Sequence, residues 1–199
     1  MAGTKAQGRK ISAELDEWLK ADRKKTIGDL VDTFGPRSFA ILFIVLMALP
    51  ALPLPTGAVS HVLEVVTMLL ALELIVGRTV WIPKRFQDRE LKGITNEKFQ
   101  NHLLKRLRWF EKFSRPRMSS LLDNRLTGMV FGAAVFGFSL TAFLAPPFSG
   151  LDTLPALGAV VLSLGFLLGD IVIAGIGLGI GTIGLALVIG LGKAVTKLF

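Results

Sequence analysis

The chain has 199 residues and a formal charge of +8, with 51% hydrophobic residues, only 19% charged residues and no Cys. Its mean hydropathy of +0.58 is too high for an ordinary soluble domain, in which charged residues make up about 25%. The many large apolar side chains exclude an intrinsically disordered chain. The absence of Cys excludes a disulfide scaffold, a thiolate nucleophile and a Cys-based zinc site.

The charges are segregated into blocks along the chain. Residues 1–37 carry 8 basic and 6 acidic side chains, and residues 78–125 carry 13 basic and 5 acidic ones. Lys and Arg are absent from residues 38–77 and 126–192. A bilayer imposes this pattern, because a cation at its centre is costly. The sequence therefore predicts an all-α, polytopic integral membrane protein whose N-terminus and basic linker lie in the cytoplasm.

Five segments follow in chain order: a basic amphipathic N-terminal segment (1–37), a first membrane repeat (38–77), a basic cytoplasmic linker (78–125), a second membrane repeat (126–169), and a Gly-rich terminal membrane helix and tail (170–199). In the first segment, the spacing i, i+4, i+7 and i+8 of Ile11, Leu15, Trp18 and Leu19 predicts an amphipathic helix. The cations that follow this helix suit anionic lipid headgroups. The equal alternative is a helix packed on the cytoplasmic linker.

The first repeat contains an apolar stretch on each side of a proline-rich break. The stretch Phe39–Leu49 is 11 residues long, about 16 Å as a helix, whereas Ala58–Gly77 is 20 residues long, about 30 Å. Between them, the first break (Pro50–Gly57) holds three prolines and cannot remain α-helical. Either the break is re-entrant at mid-depth, or it is the periplasmic turn of a helical hairpin.

The linker repeats the amphipathic character of the N-terminus. Its apolar side chains recur at helical spacing among cations and predict a second amphipathic helix. These side chains are Leu103, Leu104, Leu107, Phe110 and Phe113. A basic stretch with aromatic residues also suits nucleic acid, but the flanking membrane segments already explain the charge, so no nucleic-acid partner is expected.

The second repeat aligns with the first. Met129–Ala145 and Leu151–Gly169 flank the second break (Pro146–Gly150). Pro53, Thr56 and Gly57 then align with Pro146, Ser149 and Gly150, which indicates an internal repeat of helix, proline break and helix.

The terminal segment Ile171–Leu191 is rich in glycine. Glycines four residues apart form ridges for close contact between helices, and they favour a homodimer. The residues predicted for this contact are Gly175, Gly177, Gly179 and Gly181. Lys193 and Lys197 favour a cytoplasmic C-terminus, but its side stays open.

Ionisable groups inside the apolar repeats are candidates for function, because charge in hydrocarbon is retained where it faces a cavity or a partner. His61 and Glu64 are three residues apart and share a helix face, so they could relay a proton or neutralise a cation; the alternative is a purely structural hydrogen bond. Asp152 and Asp170 are expected to cap helices, with Asp170 facing water. The predicted pathway residues are His61, Glu64, Pro53, Pro55, Thr56, Gly57, Pro146, Pro147, Ser149 and Gly150.

Catalysis is poorly supported by the sequence. The chain has only two His, and it contains no Gly-x-Ser-x-Gly elbow, no Walker A loop and no His-Glu-x-x-His motif. No catalytic residue, metal site or cofactor is predicted, and the protein is not expected to be an enzyme.

Residues 27–190 resemble the exopolysaccharide synthesis ExoD family of bacterial membrane proteins. The resemblance rests on Phe34-Gly35-x-Arg37-Ser38-Phe39, Ala48-Leu49-Pro50-x-x-Pro53-x-Pro55-x-Gly57, Glu73-Leu74-x-x-Gly77-Arg78, Trp81-Ile82-Pro83, Pro147, Leu154-Pro155-Ala156-Leu157 and Gly169-Asp170. Members often carry Asp-Gly where this chain has Asp170-Ile171. The resemblance implies an inner-membrane protein linked to exopolysaccharide production, without assigning catalytic residues.

Two functions are compatible with these patterns. The first is a small transporter of an ion, a proton or a lipid-linked substrate, with His61 and Glu64 facing a pathway lined by the broken helices. The second is a non-transporting assembly or regulatory subunit that binds polysaccharide-synthesis proteins through the basic linker.

Overall fold

The structure, a computed structural model, describes residues 10–22, 24–35, 37–53, 57–76, 97–113, 124–146 and 149–198, and these residues form eight α-helices. In chain order the helices are α1 (Ile11–Lys20), α2 (Ile27–Phe34), α3 (Arg37–Met47), α4 (Ala58–Val76), α5 (Glu97–Phe113), α6 (Arg125–Leu144), α7 (Thr153–Leu168) and α8 (Ile171–Leu198). The all-α prediction is confirmed. Of the predicted pathway residues, Pro55, Thr56 and Pro147 lie outside the described residues.

Three helices are long and apolar enough to cross a membrane: Ala58–Val76, Arg125–Leu144 and Ile171–Leu191. Their apolar side chains are extensively exposed, as expected for helices surrounded by lipid rather than by water. The other two apolar helices, α3 and α7, are shorter, with 11 and 16 residues. The prediction of a polytopic membrane protein is therefore confirmed.

Helix α7 lies at the centre of a five-helix bundle. It contacts α3, α6 and α8, and its contact with α8 is the most extensive in the bundle. Every residue from Leu162 to Leu168 is buried, so this part of α7 is covered on all sides. Helix α4 packs outside this group, against α6 and α3. The aromatic ring of Phe131 on α6 stacks on Phe166 of α7, with ring centroids 4.0 Å apart.

The contacts between neighbouring helices determine their directions. Gly128 and Gly132 near the start of α6 meet Leu74 near the end of α4, so α4 and α6 are antiparallel. Gly165 of α7 meets Ala174 of α8, and Gly184 meets Pro155, so α7 and α8 are antiparallel too. Both proline breaks therefore lie at one end of the bundle, the break end, and each joins two antiparallel helices.

Helices α1, α2 and α5 lie at the opposite end, which we call the basic end, because they precede α3 or connect α4 to α6. The C-terminal part of α8, with Lys193, lies at the break end. The start of α3 and the C-terminal part of α8 therefore lie at opposite ends of the bundle. Because the bundle has five helices, the chain enters it at one end and leaves it at the other.

The N-terminal amphipathic helix is buried in protein rather than on a lipid surface. Trp18 is 2% exposed, its Nε1 donates to Asp29 Oδ2 at 2.7 Å, and its ring meets Phe34 edge-on. Leu104 and Leu107 of α5 are buried in the same cluster, and α1 contacts α5. Of the two interpretations, packing on the linker is the one that the structure shows. The apolar face of an amphipathic helix can be covered by a second apolar helix face or by lipid. The spacing of its apolar residues therefore does not show which of the two covers it.

Two helix termini differ from expectation. Asp152 precedes α7, but its side chain accepts no capping hydrogen bond. Asp170 does cap α8, since its Oδ1 accepts from Val172 N at 2.9 Å and from Ile173 N at 3.4 Å. It is 6% exposed rather than facing water. The turn before it is closed by Gly169 at φ +67° and by Asp170 N donating to Gly165 O at 2.9 Å.

The helices that precede the two breaks end at different depths. Helix α6 has 20 residues, about 30 Å, and ends at Leu144 immediately before the second break. Helix α3 ends at Met47, whose Sδ lies 3.8 Å from Ser139 Oγ on α6. Ser139 precedes the end of α6 by five residues, so α3 ends about 8 Å deeper in the bundle than α6.

Candidate functional site

The His61–Glu64 pair occupies the first turns of α4, near the break end. His61 Nδ1 lies 2.9 Å from Glu64 Oε2. The Glu64 side chain is fully buried, whereas 26% of the His61 side chain is exposed. The pair shares one proton, since either Nδ1–H donates to the carboxylate or a protonated carboxyl donates to Nδ1. The predicted juxtaposition on one helix face is thus present.

Glu64 retains an unused acceptor. Its second carboxylate oxygen, Oε1, is buried and has no hydrogen-bond partner among the described residues. Buried polar groups in folded proteins are nearly always paired, and an exception calls for an ion, a water molecule or a functional reason. The hydroxyl of Thr153, at the start of α7, is also buried and also has no hydrogen-bond partner among the described residues.

The second hairpin contributes a further acidic side chain to this region. Asp152, the residue before α7, lies near enough for its charge to act on Glu64. Spacing along the chain could not reveal this approach, because the two residues belong to different repeats. It follows from the packing of α4 against α6 and of α6 against α7.

An aromatic ring covers the more exposed member of the pair. The ring of Phe143, at the end of α6, lies 5.3 Å from the His61 ring in an edge-on arrangement. Since α4 and α6 are antiparallel, Glu64 lies at about the level of Ser139 and Met47, where α3 ends. The buried carboxyl therefore lies at the depth at which α3 ends.

The residues of the breaks themselves are at the surface of the break end. Pro53, Pro146, Ser149 and Gly150 are exposed, and Gly57 is half-buried. The Ser149 hydroxyl closes its own turn, because it donates to Pro146 O at 2.6 Å and accepts from Leu151 N at 3.2 Å. Of the predicted pathway residues that the structure describes, His61 and Glu64 are joined by a hydrogen bond between their side chains, whereas Pro146 and Ser149 are joined only within their own turn.

The predicted glycine ridges have separate environments. A Cβ on Gly177 would meet the backbone of Leu162, and one on Gly181 would meet the ring of Phe138, so these two glycines pack inside the bundle. A Cβ on Gly175 or Gly179 would meet nothing within 4 Å.

The sequence reasoning missed the partner glycines on α7. A Cβ on Gly158 would meet the backbone of Gly181, and one on Gly165 would meet Ala174. The signal that could have revealed them is their separation by seven residues, which puts both on one helix face.

Comparisons with known proteins agree with the resemblance found in the sequence. Residues 11–190 match the family described as "Exopolysaccharide synthesis, ExoD". The chain is 31% identical over 174 residues to Protein ExoD of Rhizobium meliloti (strain 1021), covering 81% of this chain and 69% of that protein. It is 27% identical over 173 residues to an uncharacterized protein of Synechocystis sp. (strain ATCC 27184 / PCC 6803 / Kazusa), covering 85% of this chain and 81% of that one. No solved structure matches the chain.

Proposed function

Because the chain belongs to the ExoD family, which links it to exopolysaccharide synthesis, we propose that it is a small, non-enzymatic transport module of the bacterial inner membrane that moves protons through the His61–Glu64 pair. The observation that carries this proposal is the fully buried Glu64 carboxyl, which shares a proton with His61 and leaves Oε1 without a partner.

A buried carboxyl in a membrane-spanning helix is costly and needs a reason to be retained. Glu64 lies in the first half of α4, one of the three helices that can cross a bilayer. A purely structural role predicts that both carboxylate oxygens are bonded, since an unpaired buried acceptor costs about 1–3 kcal/mol. Glu64 has only one of them bonded. A group that must take up and release a proton or a cation has to keep an acceptor available in this way.

The difference in exposure within the pair suits a proton relay. His61 is partly exposed near the break end and is in direct contact with the fully buried Glu64. Imidazole can accept a proton at one nitrogen while its other nitrogen releases one, so His61 can pass protons between the break end and Glu64. Asp152 adds negative charge from the second hairpin, which favours a cation near Glu64.

The early end of α3 puts irregular backbone at the depth of Glu64. Pro50 has no N–H and cannot donate to the carbonyl of Leu46 four residues earlier, so regular helical bonding is interrupted beside the site. Irregular backbone at membrane depth is tolerated where it is buried in protein or lines a water-filled cavity. Pro50 is fully buried, as this requires. Because the His61–Glu64 pair can exchange a proton, protons are a better candidate than a lipid-linked substrate.

The charge distribution suggests the orientation in the membrane. Among the described residues, the basic end carries most of the Lys and Arg, and the positive-inside rule assigns such an end to the cytoplasm. The break end, with its exposed Pro53 and Pro146, then faces the periplasm. Protons would enter or leave the protein there through His61.

Glu64→Gln tests the proposal. The purified chain is reconstituted into vesicles that contain a pH-sensitive dye, and proton flux is measured under an imposed pH gradient. Glu64→Gln should reduce the flux by at least tenfold, because the amide keeps the size of the carboxyl but cannot exchange a proton at neutral pH. Glu73→Gln is the matched control, because Glu73 Oε2 is also buried without a hydrogen-bond partner among the described residues but lies away from His61; if the pairing with His61 is what matters, this variant should retain the flux.

Equal flux in Glu64→Gln and in the unmodified protein, with both eluting as folded protein in detergent, would rule out the relay. The non-transporting alternative makes a different prediction. In that case neither Glu variant has an effect, and replacing cations of the basic linker abolishes the capture of polysaccharide-synthesis proteins in a pull-down.

A further inference from the structure

A cleft of about 840 Å³ lies between α1 and α5 at the basic end, apart from the His61–Glu64 pair. The side chains around it are mostly cationic or long and polar. They are Asp16 and Lys20 of α1, and Asn101, Leu104, Lys105, Arg106, Arg108, Trp109 and Lys112 of α5. Neither the sequence patterns nor the family assigned a role to a space between these two helices.

Specific contacts hold the two helices together along this cleft. Ser12 on α1 donates to both carboxylate oxygens of Glu111 on α5, from its N at 2.7 Å and from its Oγ at 2.5 Å. Arg108 Nη2 lies 3.0 Å from Asp16 Oδ2. Leu104 and Leu107 are 6% and 4% exposed and belong to the same buried cluster as α1. The cleft is therefore formed by packed helices with a defined spacing.

The cleft has an excess of uncompensated positive charge. Five of its side chains are cationic, and Asp16 is the one carboxylate among them. Asp16 is already engaged, since it pairs with both Lys20 and Arg108. Among the described residues, Lys105, Arg106 and Lys112 take part in no salt bridge. Charges of one sign that are gathered around a concave space attract a multivalent ion of the opposite sign.

We propose that this cleft binds the phosphoryl headgroup of an anionic membrane lipid. Several Lys and Arg donors around one space suit a phosphate group, which accepts charge-assisted hydrogen bonds from all sides. Trp109 lines the same cleft and is 53% exposed, and Trp is favoured at the level of the headgroups. This binding is independent of proton transport.

The position of α5 favours a lipid over a water-soluble phosphate compound. Helix α5 lies in the chain between α4 and α6, both of which can cross the membrane, and the basic end is where both of them meet the linker. Clusters of cations next to membrane-spanning helices bind anionic headgroups. A lipid headgroup in the cleft would also connect the α1–α5 pair to the membrane surface. It would explain why cations line the cleft beside the buried apolar contact between α1 and α5.

The test compares two variants that lose the same amount of charge. Lys105→Gln/Lys112→Gln removes two cations from the cleft, and Lys24→Gln/Lys193→Gln removes two exposed cations elsewhere. The full chain in uncharged detergent is titrated with dihexanoyl phosphatidic acid by calorimetry, with dihexanoyl phosphatidylcholine as the uncharged-lipid control and inorganic pyrophosphate as the water-soluble probe. Circular dichroism checks that both variants fold.

The cleft variant should bind phosphatidic acid roughly 30-fold more weakly than the unmodified chain, and the control variant should be unchanged. Phosphatidylcholine should not bind, and pyrophosphate should compete only weakly. Equal weakening in both variants would mean nonspecific attraction to the total charge and would overturn the proposal. Tighter binding of pyrophosphate than of phosphatidic acid would also overturn it, in favour of a water-soluble phosphorylated ligand.

Discussion

The two helical hairpins, α3–α4 and α6–α7, share a sequence pattern but differ in what they bury. The first contains the His61–Glu64 pair and a helix that ends early, beside Ser139. Apart from Arg125 at its first residue, the second contains no Lys, Arg or His, and its α7 packs on α8 through glycines. The two hairpins point in the same direction, with both breaks at one end of the bundle.

The difference shows how a repeated pattern can serve two purposes. Helix α7 is enclosed by three neighbours, so small residues there permit close packing and a charge would have no access to water. Helix α4 lies at the edge of the bundle, and its His61 remains partly exposed. An ionisable pair can exchange protons with water only where one member reaches the end of the bundle, as His61 does near the break end. The first hairpin thus holds the candidate site, and the second acts as its support.

The largest expected effect comes from breaking the packing of the second hairpin. Gly181→Leu would push a side chain into the ring of Phe138 and should destabilise the protein by about 3 kcal/mol, so that little folded protein elutes from a detergent size-exclusion column. Gly179→Leu on the same helix is the control, since a Cβ there meets nothing within 4 Å. Its thermal midpoint in detergent should be nearly unchanged.

Comparable loss of folded protein in Gly179→Leu would show that Gly175 and Gly179, the outward ridge, are needed for packing. It would contradict the assignment of Gly177 and Gly181 to the interior of the bundle. A homodimer through the outward ridge would instead appear as a lower crosslinked fraction in Gly179→Leu with an unchanged midpoint.

An intermediate effect is expected from removing the charge in the first hairpin. Glu64→Met has a similar volume and leaves no unpaired oxygen, so it should raise the free energy of unfolding by about 1 kcal/mol or more while it abolishes proton flux. The thermal midpoint in detergent and the vesicle flux assay measure the two properties. A protein that loses both stability and flux would indicate that Glu64 is a structural partner of His61.

The smallest effect concerns the depth of the first break, which should be visible without any change in stability. In this Cys-free chain, Pro53→Cys should react rapidly with a membrane-impermeant maleimide because Pro53 is exposed at the break end. Met47→Cys, buried beside Ser139, should react at least tenfold more slowly. Equal rates would show that water reaches the end of α3, and the break would then be re-entrant rather than a turn at the end of a hairpin.

The amino-acid sequence by itself determined the class of the protein and the positions of its main elements. The absence of Lys and Arg from two long blocks identified the membrane segments, because hydrocarbon excludes cations at every position along a span. Prolines located the breaks, since a missing N–H and a restricted predecessor act locally. The i, i+3 spacing of His61 and Glu64 identified the pair, because residues at that spacing are neighbours within one helix.

Only the tertiary structure decided what those elements face. It buried Trp18 in protein rather than in lipid, separated Gly177 and Gly181 from Gly175 and Gly179, and brought Asp152 near Glu64. An apolar stripe or a glycine ridge fits lipid, another helix or a second chain about equally well. Which surface covers it depends on the crossing and direction of helices that are far apart in the sequence, and no local pattern encodes that arrangement.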